Sequence, residues 1–335
     1  MRDPIVTIGI PVHNEARFLN QTILSARSQT LKQIEIIVSD NASTDESWKI
    51  MKRHANEDGR VRLLKHSTKI PALDNFRIVL DQARTPYFVW LGGHDLFKED
   101  YIEKAVACLE KEDGVVMVYP GRATFVDRNG KFVMSGACSD IDTGNMRLPI
   151  KRVLHIVDKL CWNTEIHGVF RTAVLKRLPF KKVIAADCLI VCTAGLYGNI
   201  RSMDITGIEM RKVHNEDYVG TISRWKSEGI FQDDNLILAL QKSIKEHCIF
   251  VRQHISFLHL YEFVLFLVLK KALYKKYLES VVDDVAYVTI RRALHSNDRF
   301  RGFKMLWALV LCHPSLVSKR YIWGAARRII LRRVG

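Results

Sequence analysis

Two carboxylates and one histidine-bearing turn carry most of the chemistry visible in the first hundred residues. Asp40 ends the apolar run Ile34-Glu35-Ile36-Ile37-Val38-Ser39 and opens Asn41-Ala42-Ser43-Thr44-Asp45. Asp95 closes Gly92-Gly93-His94-Asp95, directly after Tyr87-Phe88-Val89-Trp90-Leu91. A third apolar run, Ile5 to Val12 with Pro11 inside it, stops at His13-Asn14-Glu15. A carboxylate at the end of a buried strand can accept a hydrogen bond from a base imide N–H or a ribose hydroxyl. Asp40 could equally cap a helix, but Asp45 is the better cap and leaves Asp40 freer. Carboxylate oxygens beside an imidazole suit Mn²⁺ or Mg²⁺, and such an ion would neutralise charge on a departing diphosphate. Gly92 and Gly93 allow the backbone to approach a ligand closely; the plainer alternative is a glycine-rich turn with a solvated Asp95.

Strands and helices must alternate to position these groups. Phe18, Leu19, Thr22, Ile23 and Ala26 fall at helical spacing, with Asn14 as an expected cap. Ser43-Thr44-Asp45-Glu46 offers a capping pattern before a second helix at 48–52. A short strand at 61–64, a helix at 74–83, a strand at 87–91, a helix at 101–110 and a strand at 114–119 follow. This order predicts an α/β fold with a doubly wound, mostly parallel sheet and helices on both faces. In such sheets ligands bind beyond the carboxyl ends of the strands. No GxGxxG follows the first strand, which argues against a nicotinamide or flavin enzyme. No GxxxxGK(S/T) is present, which argues against a P-loop NTPase.

The chain has 335 residues, 48% of them apolar and 26% charged, with a formal net charge of +15. Residues 242–335 hold 18 Lys/Arg against 6 Asp/Glu, so most of the positive charge sits there. Basic pairs such as Lys270-Lys271, Arg327-Arg328 and Arg332-Arg333 are interleaved with Trp307, Tyr321 and Trp323. This composition predicts a helical, basic C-terminal region suited to an anionic membrane surface. A solvated bundle face or a polyanionic glycan would use the same charges, and no nucleic-acid-binding motif accompanies them. Seven cysteines without CxxC spacing predict free thiols in a reducing compartment rather than disulfides or a zinc site. The longest apolar run, Phe263 to Leu269, is far short of the roughly 18 residues of a membrane span. With no basic-then-apolar leader at the start, the expectation is a cytoplasmic protein, peripheral at the inner membrane face.

The motifs together resemble the family 2 glycosyltransferases. Ile8-Gly9-Ile10-Pro11-Val12-His13-Asn14-Glu15 looks like that family's opening strand, with His13 where Tyr is more usual. Gln29-Thr30, Asp40-Asn41-Ala42-Ser43-Thr44-Asp45, Asn75 and Gly92-Gly93-His94-Asp95 fall at the family's further landmarks. The resemblance covers residues 5 to about 120 well and continues loosely to about 220. It implies a GT-A fold, a nucleotide-sugar donor with a UDP-sugar as the first expectation, and Mn²⁺ or Mg²⁺. It implies that Pro11, His13, Glu15, Asp40, Asn75, His94 and Arg211 meet the donor. It implies Asp95 as metal ligand. His214, in Glu209-Met210-Arg211-Lys212-Val213-His214, becomes the candidate to complete the metal shell, since the motif at 92–95 keeps one acid.

Asp187 begins the apolar segment Cys188-Leu189-Ile190-Val191-Cys192. The helix dipole lowers its basicity and apolar neighbours raise it. The resemblance makes Asp187 the base that deprotonates an acceptor hydroxyl, and makes Gly168 a point of close sugar approach. His167 and Arg171 read as ordinary structural residues. Residues 1–225 are then the nucleotide-sugar and acceptor-binding catalytic domain, and 226–335 the basic helical region. The expected reaction is a metal-dependent, inverting transfer of a sugar to a hydroxyl of a glycan or lipid-linked acceptor, in cell-surface polysaccharide synthesis. The rivals are a nucleotidyltransferase, a sugar-nucleotide binder without turnover, and a basic membrane-peripheral scaffold.

Overall fold

A computed structural model describes residues 3–160, 164–182 and 186–212, all within one compact unit. The expected helical region at 226–335 and His214 lie outside the described residues. The elements run β1 (Val6–Val12), α1 (Leu19–Arg27), β2 (Ile34–Asp40), α2 (Ser47–Glu57), β3 (Val61–Lys65) and α3 (Ala72–Gln82). They continue β4 (Tyr87–Trp90), β5 (Leu96–Phe97), α4 (Tyr101–Lys111), β6 (Val115–Asp127), β7 (Phe132–Ala137) and α5 (Pro149–Lys159). A 3₁₀ turn (Thr164–His167), β8 (Val169–Arg171), α6 (Thr172–Leu175), α7 (Ala186–Ala194) and β9 (Asn199–Lys212) complete the set.

The strands form one sheet in the order β3-β2-β1-β4-β8-β6-β9-β5, with β7 paired to β6. β3, β2, β1 and β4 are parallel, as the alternation predicted. β8 runs antiparallel between β4 and β6, and β9 returns parallel to β6. Every residue of β1 is buried, which is why this strand reads as a continuous apolar run rather than an alternating one. Pro11 is tolerated there because the β1–β4 ladder has already ended at Gly9–Trp90. Gly9 is required by close packing: a Cβ on it would lie 2.6 Å from the Phe88 ring and 3.0 Å from Val79. Trp90 anchors an aromatic cluster with Phe76, Phe88, Phe170 and Phe180.

Three expectations change, the first being the cap of α2: the residue before that helix is Glu46, without a side-chain cap bond. Asn14 does not cap α1; the residue before that helix is Phe18, without a side-chain cap bond. Gly168 does not open space for a sugar, because a Cβ there would meet Met117 at 2.6 Å and the Val118 carbonyl at 3.0 Å. Its missing side chain is filled by the protein itself.

Candidate functional site

The ends of β1 and β2 are locked together by their loops. Val12 and Asp40 are register partners, and the Asn41 N–H continues the ladder by donating to the Val12 carbonyl at 2.8 Å. Beyond that point, side chains replace the ladder. The N–H groups of Asn14, Glu15 and Ala16 donate to Ser43 Oγ, Ser47 Oγ and Asp45 Oδ2 at 3.0, 2.9 and 3.0 Å. In return, the Thr44 N–H donates to Asn14 Oδ1 at 2.8 Å. His13 donates from Nδ1 to the Asn41 carbonyl at 2.9 Å. These bonds hold Asn14 and Ala42 in the left-handed region, at φ 56° and 53°. For Ala42 that conformation costs on the order of 1 kcal/mol.

Asp40 is fully buried at this junction. Its Oδ1 accepts the Ser43 N–H at 3.1 Å, while its Oδ2 has no hydrogen-bond partner among the described residues. Asn75 is also buried, and both its amide atoms are taken by Ser39: Oδ1 accepts the hydroxyl at 2.6 Å and Nδ2 donates to the carbonyl at 3.2 Å. It therefore fixes the end of β2 from α3 and does not reach outward as expected.

The 92–95 loop lies against the first loop. Gly93 packs on Glu15, whose Oε1 is 2.9 Å from His94 Nδ1. Burial works against a charge on His94, but the Glu15 hydrogen bond and the charges of Asp95 and Glu15 outweigh it and raise its pKa above the usual histidine value. Asp95 is buried, and its Oδ1 accepts the Arg211 N–H from β9 at 2.9 Å. Its carboxylate packs over Gly92, where a Cβ would come within 2.6 Å of Oδ2, so the glycine is what lets the Asp95 side chain lie there. A buried carboxylate with one oxygen bound to a backbone N–H and the other directed away from it has the chemistry of a divalent-cation ligand. Among the described residues no group of three or more His, Cys, Asp or Glu is placed to hold one. A shell completed by phosphate oxygens and water is the ordinary arrangement for Mg²⁺ at phosphates.

The Arg211 guanidinium lies 4.5 Å over the Phe18 ring and bonds Gln21 Oε1 at 3.2 Å and the His94 carbonyl at 3.3 Å. It clamps β9 to α1 and to the 92–95 loop, and its Nε is buried without a partner among the described residues. Asp187 sits half-buried in the first turn of α7. That helix packs on the 3₁₀ turn, which in turn packs on β4 and β6.

His167 ends that turn and was not singled out for chemistry by the sequence. Its Nδ1 donates to the Trp90 carbonyl at 2.9 Å, and its Nε2 lies 3.7 Å from Asp95 Oδ2. Nothing in the local sequence signals this pairing, because the two residues meet only through the sheet. Arg171, by contrast, behaves as read: it donates to the carbonyls of Val115 and Leu109 at 2.7 and 2.6 Å.

Comparison with known proteins adds the family. The model described as "Glycosyl transferase family 2" matches residues 7–180. An uncharacterized glycosyltransferase of Haemophilus influenzae is 32% identical over 130 residues, which cover 39% of this chain and 51% of that protein. Chondroitin synthase of Escherichia coli is 28% identical over 136 residues, covering 40% of this chain and 19% of that protein. The matches thus span about half of those relatives' length or less. Among solved structures, TarS 1–349 of S. aureus in complex with UDP superposes with a TM-score of 0.55 at 15% identity, covering 97% of this chain and 88% of that one. The mannosyltransferase PcManGT of Pyrobaculum calidifontis, in complex with GDP-Man and Mn²⁺, gives 0.53 at 14%, covering 99% and 88%. At that identity the likeness shows the fold: a GT-A-like α/β architecture.

Proposed function

Because the chain belongs to glycosyl transferase family 2, we propose that it moves a sugar from a nucleotide-sugar donor to a hydroxyl of a glycan or lipid-linked acceptor, with inversion at the anomeric carbon. The observation that carries the reading is Asp40 Oδ2, buried where β1 and β2 end together and without a hydrogen-bond partner among the described residues. An unsatisfied buried acceptor is costly, and the imide N–H of a uracil base would satisfy it. Pro11, His13 and Glu15 form the adjoining wall for base and ribose, and Asn75 keeps β2 in place behind it. Residues 1–225 are assigned to this catalytic unit.

Asp95 would hold a divalent cation, Mn²⁺ or Mg²⁺, with His214 as a further ligand. A bound cation there supplies charge neutralisation for the leaving diphosphate. Arg211 adds a fixed positive charge behind the same loop, and His94 joins that loop to Glu15. Asp187 takes the proton of the acceptor hydroxyl as its oxygen attacks the anomeric carbon. The relatives' names and the ligands of TarS and PcManGT support a nucleotide-sugar donor in general. The basic segment 242–335 would place the enzyme on an anionic membrane surface, where lipid-linked acceptors of surface polysaccharides reside.

The test is nucleoside diphosphate release from a panel of nucleotide sugars, beginning with UDP-sugars, with and without Mn²⁺. Turnover that needs the metal and disappears in Asp95→Asn and Asp187→Asn supports the assignment. Tight donor binding with no release under any condition would instead identify a binding module.

A further inference from the structure

We propose that His167 is a ligand of the divalent cation, binding through Nε2 beside Asp95 Oδ2; this rests on the reading of Asp95 as a metal ligand. The hydrogen bond at the other ring nitrogen fixes the chemistry. A carbonyl can only accept, so Nδ1, 2.9 Å from the Trp90 oxygen, carries the proton. In neutral imidazole Nε2 then presents a lone pair. That lone pair confronts Asp95 Oδ2 across 3.7 Å, a gap too long for a hydrogen bond. Both side chains are buried, with 7% and 4% of their surface exposed. With Nε2 deprotonated the two electron-rich atoms repel, and a proton on Nε2 or a cation between them relieves that; a cation held by both makes them co-ligands. Two ligands at about 2.1 Å from one ion can lie up to roughly 4.2 Å apart, so the observed separation is within reach.

The surroundings match that use. Gly92 admits the Asp95 carboxylate in this position, since a side chain there would clash with Oδ2 at 2.6 Å. A metal-bound histidine characteristically donates its second N–H to a carbonyl, which orients the ring, and Trp90 supplies that carbonyl from the end of β4. The turn bearing His167 is held from the other side as well, because the Tyr101 hydroxyl donates to the His167 carbonyl at 2.8 Å. A nitrogen ligand also changes selectivity. Mg²⁺ favours an all-oxygen shell, whereas imidazole favours transition metals. His167 therefore biases the site away from Mg²⁺ and toward a first-row transition ion, Mn²⁺ among them.

Mn²⁺ binding to the full chain, read from the loss of the free-ion EPR signal and competed with Mg²⁺, tests this directly. His167→Asn retains a donor for the Trp90 carbonyl and removes Nε2. It should weaken Mn²⁺ binding at least about tenfold and weaken Mg²⁺ binding less. His167→Gln serves for the same comparison if thermal melting shows that His167→Asn is not folded. Pulsed EPR of Mn²⁺ on the unsubstituted chain and on His214→Gln should show imidazole nitrogen coupling; its absence from the unsubstituted chain overturns the proposal. If His167→Asn binds both ions as the unsubstituted chain does while Asp95→Asn loses them, the proposal fails and the role of Asp95 stands. If Asp95→Asn also binds normally, the parent reading fails with it.

Discussion

At the scale of single residues, Asp40 separates a binding group from a structural one. Its Oδ1 already serves the backbone through Ser43, and Asn would keep that acceptor. Its Oδ2 has no partner among the described residues. Asp40→Asn replaces that oxygen with an amino group that cannot accept from a base N–H. Isothermal titration with UDP should show a Kd raised tenfold or more, in keeping with ~1.5–3 kcal/mol for a hydrogen bond to a charged group. The unfolding midpoint should hold or rise, since a buried carboxyl with one unpaired oxygen has been removed. A falling midpoint with unchanged Kd would reassign Asp40 to the fold. Asn75 shows the opposite case. Its position in the sequence suggested ligand contact, but its amide is consumed by Ser39. Sequence alone cannot tell an amide that faces a ligand from one that closes on a neighbouring strand.

At the scale of elements, the most legible parts were those buried on both sides. β1, β2 and β4 are almost wholly buried and announced themselves as apolar runs. β5 and β8 are only two and three residues long, too short for any period to register. β7 is largely exposed along Phe132–Ala137, so no alternation betrays it. Gly9 shows how tightly the legible layer is packed. Gly9→Ala would press a methyl into Phe88 and Val79, and overpacking of this kind costs about 1–3 kcal/mol, measurable by urea unfolding. A second element-scale device joins α1 to the turn after α2. Asp58 accepts hydrogen bonds from Arg60 and from Arg27 of α1. The Arg60 side chain, then its backbone N–H and Arg27, hold the Asp58 carboxyl well below the usual range despite burial. A carboxyl depressed in the folded state stabilises the fold fully above its unfolded pKa, about 3.9, and loses that contribution as pH falls through the folded value. The stability gap between the unsubstituted chain and Asp58→Asn should therefore be constant from pH 7 to about pH 5 and shrink below about pH 4.

At the scale of the whole molecule, charge is the organising fact. The net +15 is concentrated beyond residue 241, while the segment that matches the family model is residues 7–180. Among the described residues no helix is long and apolar enough to cross a membrane. A surface attachment built from the Lys and Arg beyond residue 241 would be electrostatic, with about 1 kcal/mol for each basic residue close to an anionic bilayer. The full chain should sediment with vesicles containing phosphatidylserine or phosphatidylglycerol and not with pure phosphatidylcholine. Raising the salt to 1 M shortens the Debye length to about 3 Å and should release it. Replacing Arg327, Arg328, Arg332 and Arg333 with Gln should weaken sedimentation while leaving UDP affinity unchanged, because those residues lie outside the family-matched segment. Binding that persisted at high salt, or extended equally to neutral vesicles, would show that apolar side chains rather than charge make the attachment. Loss of UDP affinity in the same variant would show that the basic segment serves the donor site instead.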